Sequence, residues 1–236
     1  MLALFNQMYN EGIIRDQQKH GLVVCIPKKT VPTQAAGYRP ITLLNTDCKI
    51  LACIIANRLR PILDELLHPS QHCGVAGRGI FEAVATIRDS IAYAEMPHVP
   101  LCILSLDFTE AFETITHMYL FRLLTKYGFS TKFTALIENM YNHAHSSIYI
   151  NGHTTGPIPI QCFVRHGCLM SLLLFALSLN PLLTLRDQKI TGITIGRRTR
   201  TAVVAYADDI TLQHPQQTSQ ECVKPYRPTK GQQLPA

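Results

Sequence analysis

Apolar and polar positions follow different periods along the chain, and each change of period marks an element. "GLVVCIPKK" (Gly21 to Lys29) is a short apolar run that ends in two lysines and is followed by the Pro- and Gly-bearing "TVPTQAAGYRP". It reads as a strand and then a loop. From about Asp47 to His68 the spacing turns helical, with a kink or break expected at Pro61, whose ring removes a backbone donor. Ile80, Val84, Ile87 and Ile91 recur at 4-3-4 spacing, one face of another helix. "LCILSLDF" (Leu101 to Phe108) has the pattern of a buried strand and ends in a carboxylate, Asp107.

Two more helices follow. Leu120, Leu123, Leu124 and Tyr127 form a stripe that stops at Gly128, a residue suited to a C-terminal cap. Ser130 can cap the next helix, whose stripe is Phe133, Leu136, Ile137, Met140 and Tyr141. Asn151-Gly152 in "SIYINGH" is a hairpin signal. Ser171 to Leu179 is an apolar helix, and "GITIG" opens the last group of strands. Helices and short antiparallel strands mix without regular βαβ alternation, which predicts an α+β fold.

Composition adds bounds. With 236 residues, 47% of them hydrophobic, the chain can bury a real core as one large domain or two small ones. Its formal charge of +6 is compatible with a polyanionic partner. The eight cysteines form no C-x-x-C pair, and five sit in apolar or helical surroundings, so reduced core thiols are expected rather than a disulfide framework or zinc site. "MLALFNQMYN" lacks the basic start of a signal peptide, and "CLMSLLLFALSLNPLL" falls short of a membrane span, so an intracellular soluble protein is expected. From about His214 the character changes: 5 of the last 23 residues are hydrophobic and four are prolines. Residues 213–236 are therefore expected to be a disordered or non-native tail after a domain of residues 1–212.

Against that background "TAVVAYADDITLQ" (Thr201 to Gln213) stands out, because Asp208 and Asp209 sit inside an apolar run. Val203 to Tyr206 and Ile210 to Leu212 read as two strands of a hairpin, and a solvated turn is the ordinary use of a double Asp. Asp107, at the end of another strand 101 positions earlier, offers a different use: a shared metal site. Mg²⁺ takes a few carboxylates and keeps other positions for water and phosphate oxygens. Nucleotidyl transfer can use two such ions about 3.5–4 Å apart.

"YADD" in an apolar hairpin, "LDFTEAFE" before it, "VRHGCLMS" between them and "YRPITLLNTDCKILA" upstream occur in the order seen in reverse transcriptases. The chain resembles those of non-LTR (LINE-type) retrotransposons over roughly Leu4 to Leu212. The resemblance implies the fingers and palm of a right-hand RNA-directed DNA polymerase, with an antiparallel palm sheet packed on helices. It implies two Mg²⁺ ions, an RNA template, a DNA primer and deoxynucleoside triphosphates as partners, no membrane and no obligate protein partner, in the cytoplasm and nucleus. Asp107 and Asp208 resemble the principal metal ligands and Asp209 the auxiliary one. Tyr206 would lie beside the primer end and Phe112 would be the gate against a ribose 2′-hydroxyl, although either could simply be a core aromatic. Lys28, Lys29 and Arg39 match fingers residues that grip template or triphosphate, for which the arginine fork is apt, and otherwise read as solvated surface. Arg78, in "GVAGRGI", matches a position near the template. His166 stands at a nucleotide-facing position, and Gly167 resembles a glycine that lets backbone approach the template–nucleotide pair.

Departures accompany the resemblance. Glu110 and Glu113 stand where the family usually has Lys and Asp. Phe163, His166, Leu169 and Leu172 replace Gly, Gln and two prolines in the nucleotide-facing block. No thumb pattern follows Leu212 and no endonuclease pattern precedes the domain, as expected of a truncated, partly decayed copy. A catalytically inactive nucleic-acid-binding remnant is the alternative reading; a group II intron or viral RNA polymerase is disfavoured by Phe112 and "RPITLLN".

Overall fold

Period and turn chemistry settle most elements of the structure, a computed structural model that describes residues 2–28, 30, 32–96, 100–108, 111–112, 114–160, 162, 168–196 and 199–215. The N-terminal half contains α1 (Leu2–Glu11), α2 (Asp16–Lys19), β1 (His20–Pro27), β2 (Tyr38–Leu44), α3 (Thr46–Leu66), α4 (Ile80–Glu95) and β3 (Leu101–Leu106). The remainder contains α5 (His117–Lys126), α6 (Thr131–Tyr141), β4 (His145–Ile150), β5 (His153–Thr154), β6 (Ile158–Pro159) and α7 (Leu169–Lys189). It ends with β7 (Ile193–Ile195), β8 (Thr199–Thr201), β9 (Val203–Tyr206) and β10 (Asp209–Pro215). The α+β expectation holds.

Local signals act as their chemistry requires. The Ser130 hydroxyl accepts from the Phe133 N–H at the start of α6. Gly128 ends α5 at φ 79°, and Asn151 and Gly152, at φ 51° and 82°, turn β4 into β5. One sheet runs β2-β1-β4-β5, with β6 also on β4; β1 is antiparallel to β2 and parallel to β4. A second, fully antiparallel sheet runs β3-β10-β9, and β7 and β8 form a separate pair.

The core is organised around α7. Met170, Leu173, Leu174 and Leu177 join α3, α5 and α6 in one cluster, while Phe175, Leu179 and Leu183 join Val203, Ala205 and Ile210 of the second sheet in another. A helix apolar all round belongs in a core. By length and composition α7 could cross a membrane, yet most of it is buried inside the protein. Fully burying each of its leucines contributes about 1.5–3 kcal/mol.

Several expectations need correction. α3 is not broken at Pro61, and α7 runs beyond Leu179 through Pro181 to Lys189. Each proline lies on an exposed position, and Asn57, whose carbonyl loses its partner to Pro61, is exposed too. The apolar stripe of α4 faces outward: Ile80, Val84 and Ile91 are exposed, and Ala83, Ser90 and Ala94 are buried instead. Small residues let the helix approach β9 and β7 closely, which larger side chains would prevent. β3 is an edge strand with Cys102 to Ser105 exposed, not a buried one. All seven cysteines among the described residues are free thiols, but only Cys48 and Cys73 are buried. Finally β10 continues to Pro215, because Gln213, His214 and Pro215 extend the ladder on β3; the boundary expected after Leu212 falls inside this strand.

Candidate active site

Val203 to Ala205 are buried, and Tyr206 pairs with Asp209, which leaves Ala207 and Asp208 as a two-residue turn. Ala207 has φ 53°, a left-handed conformation that costs an L-residue with a Cβ about 1–2 kcal/mol. β10 then pairs with β3 so that Ile210 faces Leu106, the last pair of this ladder, with Asp107 following β3 and Asp209 preceding Ile210. Asp107, Asp208 and Asp209 thus reach the same end of one sheet although 101 residues separate the first two.

Asp107 and Asp209 are exposed and Asp208 is half-buried. Among the described residues no group of three His, Cys, Asp or Glu side chains is placed to hold a metal ion. The donors nonetheless suit a hard cation: carboxylate oxygens carried to one sheet end and open to water, where an ion such as Mg²⁺ retains water ligands. In kind they fit such an ion, while their side chains are not gathered into one ligand group.

Other expected site residues are distributed unevenly. Ile26 pairs with Arg39, and the Lys28 N–H donates to the Gly37 carbonyl, so strand alternation sets Ile26, Lys28 and Arg39 on one exposed face of the β1–β2 hairpin. Phe112 stacks on Phe175, centroids 4.2 Å apart, and packs against both core clusters. Tyr206 is half-buried beside Cys73; the neighbouring thiol, then burial, push its phenol up. Burial likewise pushes the Cys73 thiol up, outweighing its bonds to Tyr206 and Ala207. Lys29, His166 and Gly167 lie outside the described residues, as do Glu110, Glu113 and Phe163. Leu169 and Leu172 open α7.

Arg78 makes a set of bonds within the fold. Its Nη2 donates to Asp64 Oδ1 at 2.6 Å and to the Asp64 carbonyl, and its Nη1 donates to the carbonyls of His68 and Gln71. It therefore ties the end of α3 to the segment 68–72. That segment runs beside β9: the Ala205 N–H donates to Ser70 O, and the His72 N–H to Ala205 O.

Sequence reasoning missed the side chains that hold this region. Gln71 is fully buried, and its Oε1 accepts the backbone N–H groups of Cys73 and Ala207. Asn180, buried in α7, accepts the His68 N–H at 2.6 Å and donates to Leu66 O and the Tyr127 hydroxyl. Arg200 clamps Asp187 with both carboxylate oxygens engaged, and His68 Nε2 lies 3.6 Å from the same carboxylate. None belongs to a periodic pattern. The only available signal was polar residues inside turn-rich "HPSQHCGVAGRG" and an Asn within an apolar helix.

Two sheets, a central apolar helix and carboxylates at one end of an antiparallel hairpin sheet are arranged as the fingers and palm of a right-hand polymerase fold. Solved telomerase structures share this fold. Apo telomerase from Candida tropicalis aligns with a TM-score of 0.58 at 8% identity, over 90% of this chain and 43% of its own. A form truncated from its C-terminal domain aligns at 0.56 and 11%, over 91% and 48%. The family model for Reverse transcriptase (RNA-dependent DNA polymerase) matches residues 26–226, and the chain belongs to that family. Its branch is the non-LTR, LINE-type one. The Xenopus laevis protein "Transposon TX1 uncharacterized 149 kDa protein" is 34% identical over 210 residues, 89% of this chain. The Pol polyprotein from the type-2 retrotransposable element R2DM of Drosophila melanogaster is 26% identical over 213 residues, 90% of this chain. The chain spans 16% and 20% of the lengths of these two relatives.

Proposed function

We propose that the chain adds deoxynucleotides to a DNA primer 3′-hydroxyl on an RNA template, with Asp107 and Asp208 as the principal ligands of two Mg²⁺ ions and Asp209 as the auxiliary one. The observation that supports this reading is the β3–β10 register, which ends with Leu106 opposite Ile210, so that Asp107 and Asp209 each adjoin the last pair at the same end of the sheet. When bound, such ions supply charge stabilisation to the attacking and leaving oxygens of an in-line displacement. The chain's own residues do the positioning. Phe112, held by Phe175, walls one side of the site against a bulkier sugar. Tyr206, kept neutral beside Cys73, offers a hydroxyl next to the primer end. Lys28 and Arg39 present cations on one face of the β1–β2 hairpin, where phosphates of template or triphosphate would lie.

Synthesis by this chain is weak and non-processive. Phosphoryl transfer depends on placement, and a shift of about 1 Å can cost ~10²-fold; Phe163 and His166 change the nucleotide-facing block. The test is extension of a DNA primer on an RNA template with Mg²⁺, beside Asp208→Asn. Short products absent from the variant support the polymerase reading. Salt-sensitive binding of the primed template with no product from either protein would replace it with an RNA-binding remnant.

A further inference from the structure

The Ala207 turn carries Asp208 and leads directly into Asp209 at the start of β10, and its conformation is one that alanine does not choose. No residue within the hairpin accounts for it: there is neither a glycine nor an asparagine at the left-handed position. The stabilising contact comes from 136 residues earlier in the chain. Gln71 Oε1 accepts the Ala207 N–H at 3.1 Å, and Gln71 Nε2 faces the Ala207 carbonyl at 3.4 Å. The same Oε1 accepts the Cys73 N–H at 3.0 Å. Two backbone donors converge on one atom, so that atom is the oxygen, and the orientation of the carboxamide is fixed. The side chain is wholly buried, and its backbone is held in turn: Gln71 pairs with Ala205 in a parallel bridge, and its carbonyl accepts from Arg78.

We propose that Gln71 is a positioning residue for the Tyr206–Asp209 hairpin: its carboxamide grips both backbone groups of Ala207 and so sets the direction in which Asp208 and Asp209 present their carboxylates. The metal-aiming half of this inference rests on the proposed function; the grip on Ala207 does not. Removing the carboxamide frees the Ala207 N–H inside the fold and leaves its left-handed backbone without a tertiary hold, so the turn samples other conformers. A ligand set spread over those conformers binds a cation more weakly by the fraction of time it is correctly arranged.

The experiment compares the full chain with Gln71→Met, which keeps length and loses the amide, and with Ile137→Val, a core change in α6 away from the hairpin. Two quantities are read: hydrogen exchange of the Ala207 amide by NMR, and binding of Mn²⁺ alone by loss of the free-ion EPR signal. Gln71→Met is expected to speed Ala207 exchange at least tenfold and to weaken Mn²⁺ about tenfold, while Ile137→Val changes neither. Asp208→Asn, which abolishes Mn²⁺ binding, marks the site. Unchanged exchange at Ala207, equal acceleration in Ile137→Val, or undiminished Mn²⁺ affinity in Gln71→Met would each overturn the assignment. If the wild-type chain binds no Mn²⁺, the metal-site reading falls, and exchange at Ala207 alone decides the grip. If Gln71→Met does not fold, native-state exchange of the wild-type chain decides it: the Ala207 and Cys73 amides, sharing one acceptor, open together as denaturant rises. Independent opening refutes the clamp.

Discussion

Replacing Arg78 with glutamine separates two uses of one cation. If the guanidinium serves the fold, its loss removes four hydrogen bonds: one to the Asp64 carboxylate at 2.6 Å, and those to the carbonyls of Asp64, His68 and Gln71 at 3.2–3.3 Å. The Asp64 side chain is 58% exposed, so that ion pair contributes at most about 1 kcal/mol. The three carbonyl bonds are worth roughly 0.5–1.5 kcal/mol each, toward the lower end because they are long. The expected loss is about 3 kcal/mol, read as a fall in the urea midpoint at unchanged slope, or about 6–12 °C in melting temperature for a chain of this size. Arg78→Lys recovers only part of it, since an ammonium cannot reach both sides of the fork.

A template role predicts a different signature. Each phosphate contact to single-stranded RNA contributes about 0.7 to the slope of log affinity against log salt. Fluorescence anisotropy with a labelled RNA across a salt series therefore distinguishes the two uses. Arg78→Gln is expected to leave the slope unchanged, whereas the Lys28→Ala, Arg39→Ala pair flattens it. A stability loss below about 1 kcal/mol together with a flattened slope for Arg78→Gln would refute the clamp and return Arg78 to the template.

Two more outcomes follow from buried polar groups. Gln213 is fully buried, and neither atom of its carboxamide has a partner among the described residues, so Gln213→Met should raise stability by about 1–3 kcal/mol; a lower urea midpoint would reveal a partner for that amide. Burial, then the Arg78 guanidinium, hold the His72 imidazole below its ordinary value, with Glu82 opposing. The unfolded chain therefore takes up this proton first as pH drops below about 6.5, so the stability associated with a neutral His72 is present above that pH and lost as pH falls toward the folded-state value. Urea midpoints between pH 7 and 5 should fall less steeply for His72→Asn than for the wild-type chain, and parallel curves would count against it.

Much of the fold was legible because it follows from period and turn chemistry. The α5 and α6 stripes, Gly128, Ser130 and Asn151-Gly152 all act within a few residues of themselves, so the sequence displays them. α4 shows where this stops. Its 4-3-4 aliphatic stripe marks a helix correctly, but the buried face is the one with Ala83, Ser90 and Ala94, because the distance to β9 decides which face fits. Pro61 does not break α3, for a related reason: the Asn57 carbonyl that loses its partner lies on an exposed turn and can reach water, and that exposure comes from the tertiary arrangement. Arg78 was placed near the template by its motif alone, because the sequence does not show that Asp64, fourteen residues earlier, comes within reach.

The candidate site repeats this division. Asp107 and the double Asp could be singled out because carboxylates at the ends of apolar strands break a local rule in plain view. The side chains that arrange them break no rule that a sequence displays. By local preference the turn position at Ala207 belongs to glycine or asparagine, residues that take φ 53° at little cost and hold the conformation only loosely. Alanine there makes the conformation depend on tertiary support, which runs from Asn180 and Arg78 through the segment 68–72 to the Gln71 carboxamide. A strained position held by distant, fully buried partners has one low-energy arrangement where a relaxed glycine turn would have several. The direction in which Asp208 and Asp209 point is therefore a property of the whole fold, and mutations at the end of α3 or in α7 should reach the hairpin without touching it.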